Sequence, residues 1–502
     1  MSVETELKLR IAPEHLNRLK RHPLLKTLAT SRASTRKLHN IYYDTPDLKL
    51  HQRAMALRLR RVGKQWLQTL KGGGGIQAGL HQRNEWETPV DGKALDFEAL
   101  KACGGKHLSL TVRKKLQPLF VTDFSRTTRM VAFGGAEIEL SMDSGEVRAG
   151  KNSRPISELE LELKSGESAQ LFKFALALLD IVPLEVEHTS KAEYGYRLHG
   201  AILPAVSKAS FPSLAKSPDI ASALQSMIGC CLLHLQANIP GAIQKLDEEY
   251  LHQVRVALRR LRVVLSMTEI FRADVELANL HEQVEELCVE LGRLREWDVF
   301  VTQILLPIRS RHSEQDWPRL LSSSEKLRCL HHAAVESRLQ SQDYQRFLLR
   351  FGAWMHGDYW RKSTADSLTL PHFAEQILDK RGRQVGKRGK CLVAADPGQL
   401  HALRIACKKL RYSAEIFASL FDPLKAKRYQ SALTALQDIL GMLNDLDVAR
   451  RLLDELGAVA QHESGFLVRG WIERDYLDQI IKLNKVWKKF FAQKAFWCQA
   501  AK

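Results

Sequence analysis

Three carboxylates spaced two apart on one side of a strand repel one another, and this chain has them: Glu158, Glu160 and Glu162 alternate with Leu159, Leu161 and Leu163, and Lys164 extends the polar face. The same alternation recurs in the runs before it. Glu4, Glu6, Lys8 and Arg10 oppose Val3, Leu7 and Leu9; Arg58 and Arg60 oppose Leu57 and Leu59; Thr69 and Lys71 oppose Trp66 and Leu70. Arg83, Glu85 and Glu87 share a face, and Glu139, Ser141 and Asp143 oppose Ile138, Leu140 and Met142. A solvated sheet face carries mixed polar residues. Here carboxylates stand at both ends of the region and Arg and Lys in its middle. A bound cation would relieve the carboxylate repulsion. Carboxylate oxygens suit hard cations such as Mg²⁺ or Mn²⁺. Arg and Lys suit phosphoryl oxygens, Arg through its bidentate fork. One cavity with both is built for a metal–polyphosphate complex, and the chemistry it permits is metal-assisted attack of water on a phosphoanhydride.

The elements that must position these groups follow from the period. Alternation over short runs reads as strands, and if the sheet closes, the charged faces line its interior. Composition changes near residue 200. LPAVSKASFPSLAKSPDI, with Pro204, Pro212 and Pro218, reads as a linker, and from about 219 the pattern is long, Leu/Ala-rich and helical. The expected domains are therefore 1–200, a linker over 201–218, and 219–502. The 502 residues leave room for two to four domains, and a net charge of +18 attracts phosphate-rich polyanions or acidic membranes. The eight cysteines form no CxxC pair and read as reduced thiols of a cytoplasmic protein. The N-terminal MSVETELKLR lacks an apolar leader core and no run approaches eighteen apolar residues, so neither a signal peptide nor a membrane span is expected.

Glu4-Thr-Glu6-Leu-Lys8 is an ExExK motif, followed in order by YYDTPDLKL, ALRLRR, TLKGG, LHQRNEWE, FSRTTR, SMDSGEV, ELELELKSG and SKAEYGY. Over about residues 1–200 this set resembles the CYTH, or triphosphate tunnel metalloenzyme, family. The resemblance implies an eight-stranded antiparallel β tunnel. It implies Glu4 and Glu6 as metal ligands together with two of Glu158, Glu160 and Glu162, which two being left open. Lys8, Arg58, Arg60, Lys71, Arg83, Arg126 and Lys191 are implied as phosphate contacts, and Glu85 and Asp143 as inward groups that orient bases or metal. Glu4, Glu6, Lys8, Glu85 and Asp143 form the implied catalytic set. Arg129 is a further candidate for substrate, though three residues from Arg126 it needs a bulge to share that face. Gly72–Gly75 lacks the GK[ST] ending of a P-loop and reads as a hairpin turn; His331 and His332 lack metal-ligand spacing and read as surface residues.

The helical half repeats itself. HQVRVALRRLR matches HALRIACKKLR and LGRLREWDV matches LGMLNDLDV; 401 minus 252 and 440 minus 291 both give 149. The units would be about 219–370 and 371–502. The first set is His252, Arg255, Arg259, Arg260 and Arg262; the second is His401, Arg404, Lys408, Lys409 and Arg411. On a helix the positions 0, +3, +7 and +10 fall within a sector of about 80°, a repulsive stripe that calls for an anion. This half resembles the CHAD domain, which implies two four-helix bundles, a basic groove and inorganic polyphosphate as ligand. Arg293 and Arg295 become Met442 and Asn444 in the second copy, so strict symmetry is not expected.

The expectation is thus a multidomain α+β protein that hydrolyses inorganic tripolyphosphate with Mg²⁺ or Mn²⁺ and binds polyphosphate through its helical half. Catalysis is expected to survive in a 1–200 fragment that folds. The competing readings are an adenylyl cyclase or thiamine triphosphatase tunnel, and a non-catalytic polyphosphate-binding scaffold. Nucleic acid, which the charge alone allows, is disfavoured because no aromatic RNA platform or recognition-helix signature accompanies it.

Overall fold

The structure is a computed structural model and describes residues 2–77, 80–102, 108–200, 205–208, 211, 213–214, 219–312, 316–360, 368–390, 392 and 396–498. It forms two compact units: Met1–Ser207 with Leu232–Tyr250 and Gln340–Lys362, and Lys208–Cys231 with Leu251–Leu339 and Ser363–Lys502.

The elements of the first 200 residues are β1 (Ser2–Ile11), α1 (Pro13–Arg21), α2 (Pro23–Thr27), β2 (Ser34–Asp44), β3 (Met55–Val62), β4 (Gln65–Gln77), β5 (Leu80–Val90), α3 (Phe97–Ala102), α4 (Leu110–Arg113), β6 (Gln117–Phe133), β7 (Ala136–Ala149), β8 (Asn152–Ser165), α5 (Ala169–Leu179), β9 (Leu184–Val186) and α6 (Lys191–Gly200). Among the described residues the strands run β5-β4-β3-β2-β6-β7-β8-β1-β9, and an added β1–β5 pairing closes the first eight into a ring. The expected count of eight is exceeded by one. Past Leu7, where β1 stops pairing with β5, it pairs with the three-residue β9.

Burial explains why the charged faces point inward. Leu7, Leu9, Leu140, Leu159 and Leu161 face out and are buried against Leu171, Phe172, Phe174 and Leu178 of α5. Each such side chain contributes roughly 1.5–3 kcal/mol by leaving water. Leu57, Leu70 and Trp86 do the same against Leu100, Leu108 and Val112. With period two, the alternate positions have only the interior to enter. At one end α6 packs close to β6: a Cβ on Gly195 would lie 2.0 Å from the Phe120 ring, so no larger residue fits. Asp44 anchors that end, accepting from the Leu50 and His51 amides at 2.9 Å and from the Tyr196 hydroxyl at 3.1 Å. Gly72–Gly75 is not a hairpin turn. It lies inside β4, where the register with β5 shifts between Gly72 and Gly75.

The remaining helices are α7 (Ile220–Ile243), α8 (Glu248–Phe271), α9 (Val275–Val299), α10 (Leu306–Arg309), α11 (Trp317–Gln340), α12 (Gln342–Met355), α13 (Leu370–Arg388), α14 (Pro397–Phe417), α15 (Pro423–Glu455) and α16 (Glu463–Phe491). The duplicated motifs fall on α8 and α14, and on α9 and α15. In the second unit α13, α14, α15 and α16 pack in sequence. Trp297, Phe300, Trp317 and Leu320 of the first copy share a core with Leu446, Leu452, Val468 and Ile472 of the second. α7 is long and apolar enough to cross a membrane by length and composition, although Ser222, Gln225, Ser226, His234 and Gln236 interrupt its apolar residues; 61% of its most apolar window is buried in the fold. α12 stands apart from its sequence neighbours. It belongs to the first unit, where Leu349 joins the outer core of the tunnel and a Cβ on Gly352 would lie 2.2 Å from Phe172.

Candidate functional site

The ring encloses a cavity of about 500 Å³. One wall is acidic. Glu6 on β1 faces Glu162 on β8, which faces Glu139 on β7, so three carboxylates form a row across adjacent strands. Glu4 lies two residues along β1 and accepts from Lys71 Nζ at 2.5 Å. The other wall is basic, with Arg58 and Arg60 on β3, Lys71 on β4 and Arg126 on β6. Glu85 sits between Arg58 (3.3 Å) and Lys71 (3.2 Å). Burial would raise its carboxyl, but these two cations hold it below the usual range. Arg60 is pushed down to about 10 by burial and by its neighbours Arg58 and Arg126, against the weaker pull of Tyr42 and Glu87, and its Nε donates to Asn40 Oδ1 at 2.9 Å.

Deeper in, the charges are paired. Lys191 opens α6, and its Nζ lies 2.7 Å from Asp143 and 3.0 Å from Glu160 and also contacts Glu158. Arg126 forks onto Asp143 at 2.8 and 2.6 Å and touches Glu160. Lys8 lies 3.0 Å from Glu160 and 3.1 Å from Glu6. Burial alone would lower Lys8 and Lys191, but the carboxylates around them raise both. Glu158 is pushed up to about 7 by burial and by Glu160, against the pull of Lys191.

In the second unit the duplicated stripes meet. Arg255 is pushed down to about 9 by burial, Arg259 and Arg295. Lys408 falls to about 6 through burial and the fields of Arg404, Arg259 and Arg255. Two positions of each motif thus share one cluster. Three of the other basic residues lie beside carboxylates. Arg260 (3.0 Å) and Arg411 (2.7 Å) both bond Glu415, and Arg262 lies 3.8 Å from Glu285. Lys409 is lowered by burial, Arg262 and Arg381. His401 bonds Asn444 at 2.8 Å, a partner the first copy lacks because Arg295 stands there. His252 lies on α8.

Residues 2–196 match the CYTH domain and residues 226–454 match the CHAD domain. The chain is a CYTH domain joined to a CHAD domain. It is 36% identical to the inorganic triphosphatase of Haemophilus influenzae over 198 residues, which are 39% of this chain and 55% of that protein. The chain thus matches about half the length of this curated relative. The solved CHAD domain from the plant Ricinus communis is similar at 29% identity and a TM-score of 0.52, covering 58% of this chain and 98% of that one.

Within the CYTH domain the cavity brings together Glu4, Glu6, Lys8, Arg58, Arg60, Lys71, Glu85, Arg126, Glu160, Glu162 and Lys191. Asp143 and Glu158 lie behind it, bonded to Lys191. Arg83 is on β5, but its side chain lies outside the described residues. Arg129 is not brought in. The β6–β7 ladder runs without a bulge past it, and its guanidinium donates outward to the Leu25 carbonyl at 2.9 Å. Besides Ala56, Trp86, Phe124 and Ala192, four lining residues with polar groups are absent from the expected set: Tyr42, Glu87, Glu139 and Ser190. Glu87 and Glu139 share strand parity with Glu85 and Asp143, a signal that was available; Tyr42 and Ser190 carry none. His331 and His332 are half-buried rather than surface residues: His332 lies 3.1 Å from buried Asp298, and His331 stacks on Trp297.

The acidic row has the hard oxygen donors a divalent cation takes, with the Lys164 ammonium at its edge, 2.6 Å from Glu162 and 3.6 Å from Glu139. Burial raises the Glu162 carboxyl and like charge from Glu4 and Glu139 raises it further, against Lys164. A cation between these groups would remove that repulsion. Among the described residues, Asp143, Glu158 and Glu160 bring ligand atoms within 4.8 Å of one another, with the Lys191 ammonium bonded to them.

Proposed function

We propose that the CYTH tunnel hydrolyses inorganic tripolyphosphate to pyrophosphate and phosphate with Mg²⁺ or Mn²⁺, and that the CHAD domain binds inorganic polyphosphate. The observation that carries the first reading is the pairing of an acidic row with a basic wall inside one closed sheet. Arg58, Arg60 and Arg126 bind phosphoryl oxygens, and Lys8 and Lys71 exchange carboxylate partners for them as substrate enters. Glu85 orients Arg58 and Lys71; Asp143 orients Arg126 and Lys191. The closed wall keeps bulk water away and strengthens each of these contacts. Glu4, Glu6 and Glu162, with Glu139 beside them, would hold the divalent ion, which when bound neutralises phosphoryl charge and acidifies water. Water adds across one P–O–P bond, and the leaving pyrophosphate departs with its charge matched by the basic wall.

The aromatic rings of the cavity favour a substrate without a base. Phe124 lies under Arg126 and Lys191, Tyr42 stacks on Phe120, and Trp86 packs in the outer core with Leu57 and Leu70, so these rings are engaged by the protein itself. Among the described residues the cysteines are free thiols, which suits a reducing compartment such as the cytoplasm.

The test is phosphate release from tripolyphosphate, thiamine triphosphate and ATP by the wild type and by Glu6→Ala across several divalent metals. Tripolyphosphate turnover lost in Glu6→Ala supports the reading. Cyclic AMP from ATP would replace it with a cyclase, and no turnover with any metal would leave a binding scaffold. For the CHAD domain, the mutually repelling cations of α8 and α14 carry the proposal. Long polyphosphate should displace duplex DNA from the protein; preference for DNA overturns it.

A further inference from the structure

β9 is an edge strand three residues long. One side pairs with β1 through Leu9–Val186 and Ile11–Leu184. The amides of Leu184 and Val186 point the other way, where an edge strand normally leaves them to water or to another chain. Here each has a partner on α12. The Leu184 amide donates to Gln342 Oε1 at 3.1 Å and the Val186 amide to Gln345 Oε1 at 2.9 Å. Gln342 and Gln345 are three apart on one helix face, and their acceptors match donors two apart on a strand. Gln345 is buried. The helix is fixed behind them: Leu349 enters the outer core, and Arg346 donates to Asp180 at 2.8 Å.

The chain leads directly from these two bonds to the tunnel floor. The Glu187 amide donates to the Lys8 carbonyl at 2.9 Å. The Glu187 carboxylate accepts the Thr189 amide at 2.8 Å and the Tyr194 hydroxyl at 2.6 Å. Ser190 Oγ accepts the Glu193 amide at 3.1 Å, starting α6 one residue before Lys191. Only four residues therefore separate Val186, which makes the Gln345 bond, from Lys191, whose ammonium meets Asp143, Glu158 and Glu160.

We infer that Gln345 and Gln342 of α12 are positioning residues for the tunnel: by closing the free edge of β9 they hold Lys191 at its floor, so a helix lying within the CHAD sequence match completes the CYTH site. The inference rests on the triphosphatase reading for its consequence, though not for its geometry. It revises the expectation for a 1–200 fragment, which lacks α12 and is predicted to bind tripolyphosphate weakly.

The test uses the full chain and a thermodynamic cycle. Tripolyphosphate affinity is measured by calorimetry in a metal chelator, where the metal-dependent hydrolysis does not proceed, for wild type, Gln345→Met, Lys191→Met and the double variant. Gln345→Met should weaken binding about tenfold, since a displacement on the order of 1 Å is enough to spoil such a contact. In the Lys191→Met background the same change should matter less than about twofold, because residues acting through one another are non-additive. Gln345→Glu keeps the acceptor and should restore wild-type binding. Wild-type affinity in Gln345→Met, or a loss fully additive with Lys191→Met, overturns the inference. Should the wild type neither bind nor hydrolyse tripolyphosphate, it is the triphosphatase reading that fails. Amide exchange over 184–191 then decides the tether: faster exchange there in Gln345→Met supports it, and unchanged exchange overturns it.

Discussion

Glu6 and Glu162 face one another across the β1–β8 ladder, with Glu139 next in the row on β7. Replacing Glu162 by Gln removes a negative charge and keeps the shape. Mn²⁺ affinity should fall by about ten- to a hundredfold, with turnover falling alongside it. Calorimetric titration of Mn²⁺ into wild type and Glu162→Gln checks this. Equal affinities would remove the acidic row as the metal site.

Arg60 and Arg129 make a paired control. Arg60 lines the cavity beside Arg58, whereas Arg129 bonds the Leu25 carbonyl on the outer face. Arg60→Ala should raise KM for tripolyphosphate by about tenfold or more, as expected for one lost charge-assisted contact of roughly 1.5–3 kcal/mol. Arg129→Ala should leave kcat and KM within about twofold, being remote from substrate. Steady-state kinetics of the two variants separates inward from outward residues.

Lys408 gives the CHAD domain a pH dependence whose sign is fixed. Burial and then Arg404, Arg259 and Arg255 push it down to about 6 from 10.5. Between those values the unfolded chain binds more protons, so this group's contribution to stability rises with pH across the window. A bound polyanion reverses the preference and charges Lys408. Polyphosphate binding should therefore take up a proton and tighten as pH falls from about 8 to 6, by at most about tenfold per unit for one proton. Calorimetry in two buffers of different ionisation heat measures the uptake. Lys408→Arg should abolish it.

Leu349 is fully buried beside Phe172 in the outer core. Leu349→Ala should destabilise the first unit by about 2–5 kcal/mol. Thermal denaturation followed by tripolyphosphate binding would show the loss. A midpoint unchanged from wild type would mean that α12 does not brace the sheet.

Much of this architecture was legible because charge and burial share one period. Alternation put Glu4, Glu6, Arg58, Arg60 and Glu162 on inward faces without any knowledge of the fold, and the ordered motifs supplied the ring. What periodicity does not encode is how far a face extends into the cavity. Glu158 and Glu162 look identical in sequence, yet one is bonded by Lys191 behind the cavity and the other lines it. The pair-wise fate of the basic stripes was hidden for a similar reason. Glu415, four residues past Arg411 on α14, draws off both Arg260 and Arg411, and only the tertiary structure brings Arg260 to it. The role of α12 was illegible because its partners are 158 and 159 residues away.

That separation has a consequence for synthesis. The strands of the ring emerge from the ribosome first, and the helix that satisfies β9 follows 159 residues after Val186. At bacterial-to-eukaryotic elongation rates this is a delay of roughly 8–30 s. During it a nascent tunnel carries an open strand edge and an uncovered patch around Phe172, the features that recruit holdase chaperones or pair with a neighbouring chain on the same polysome.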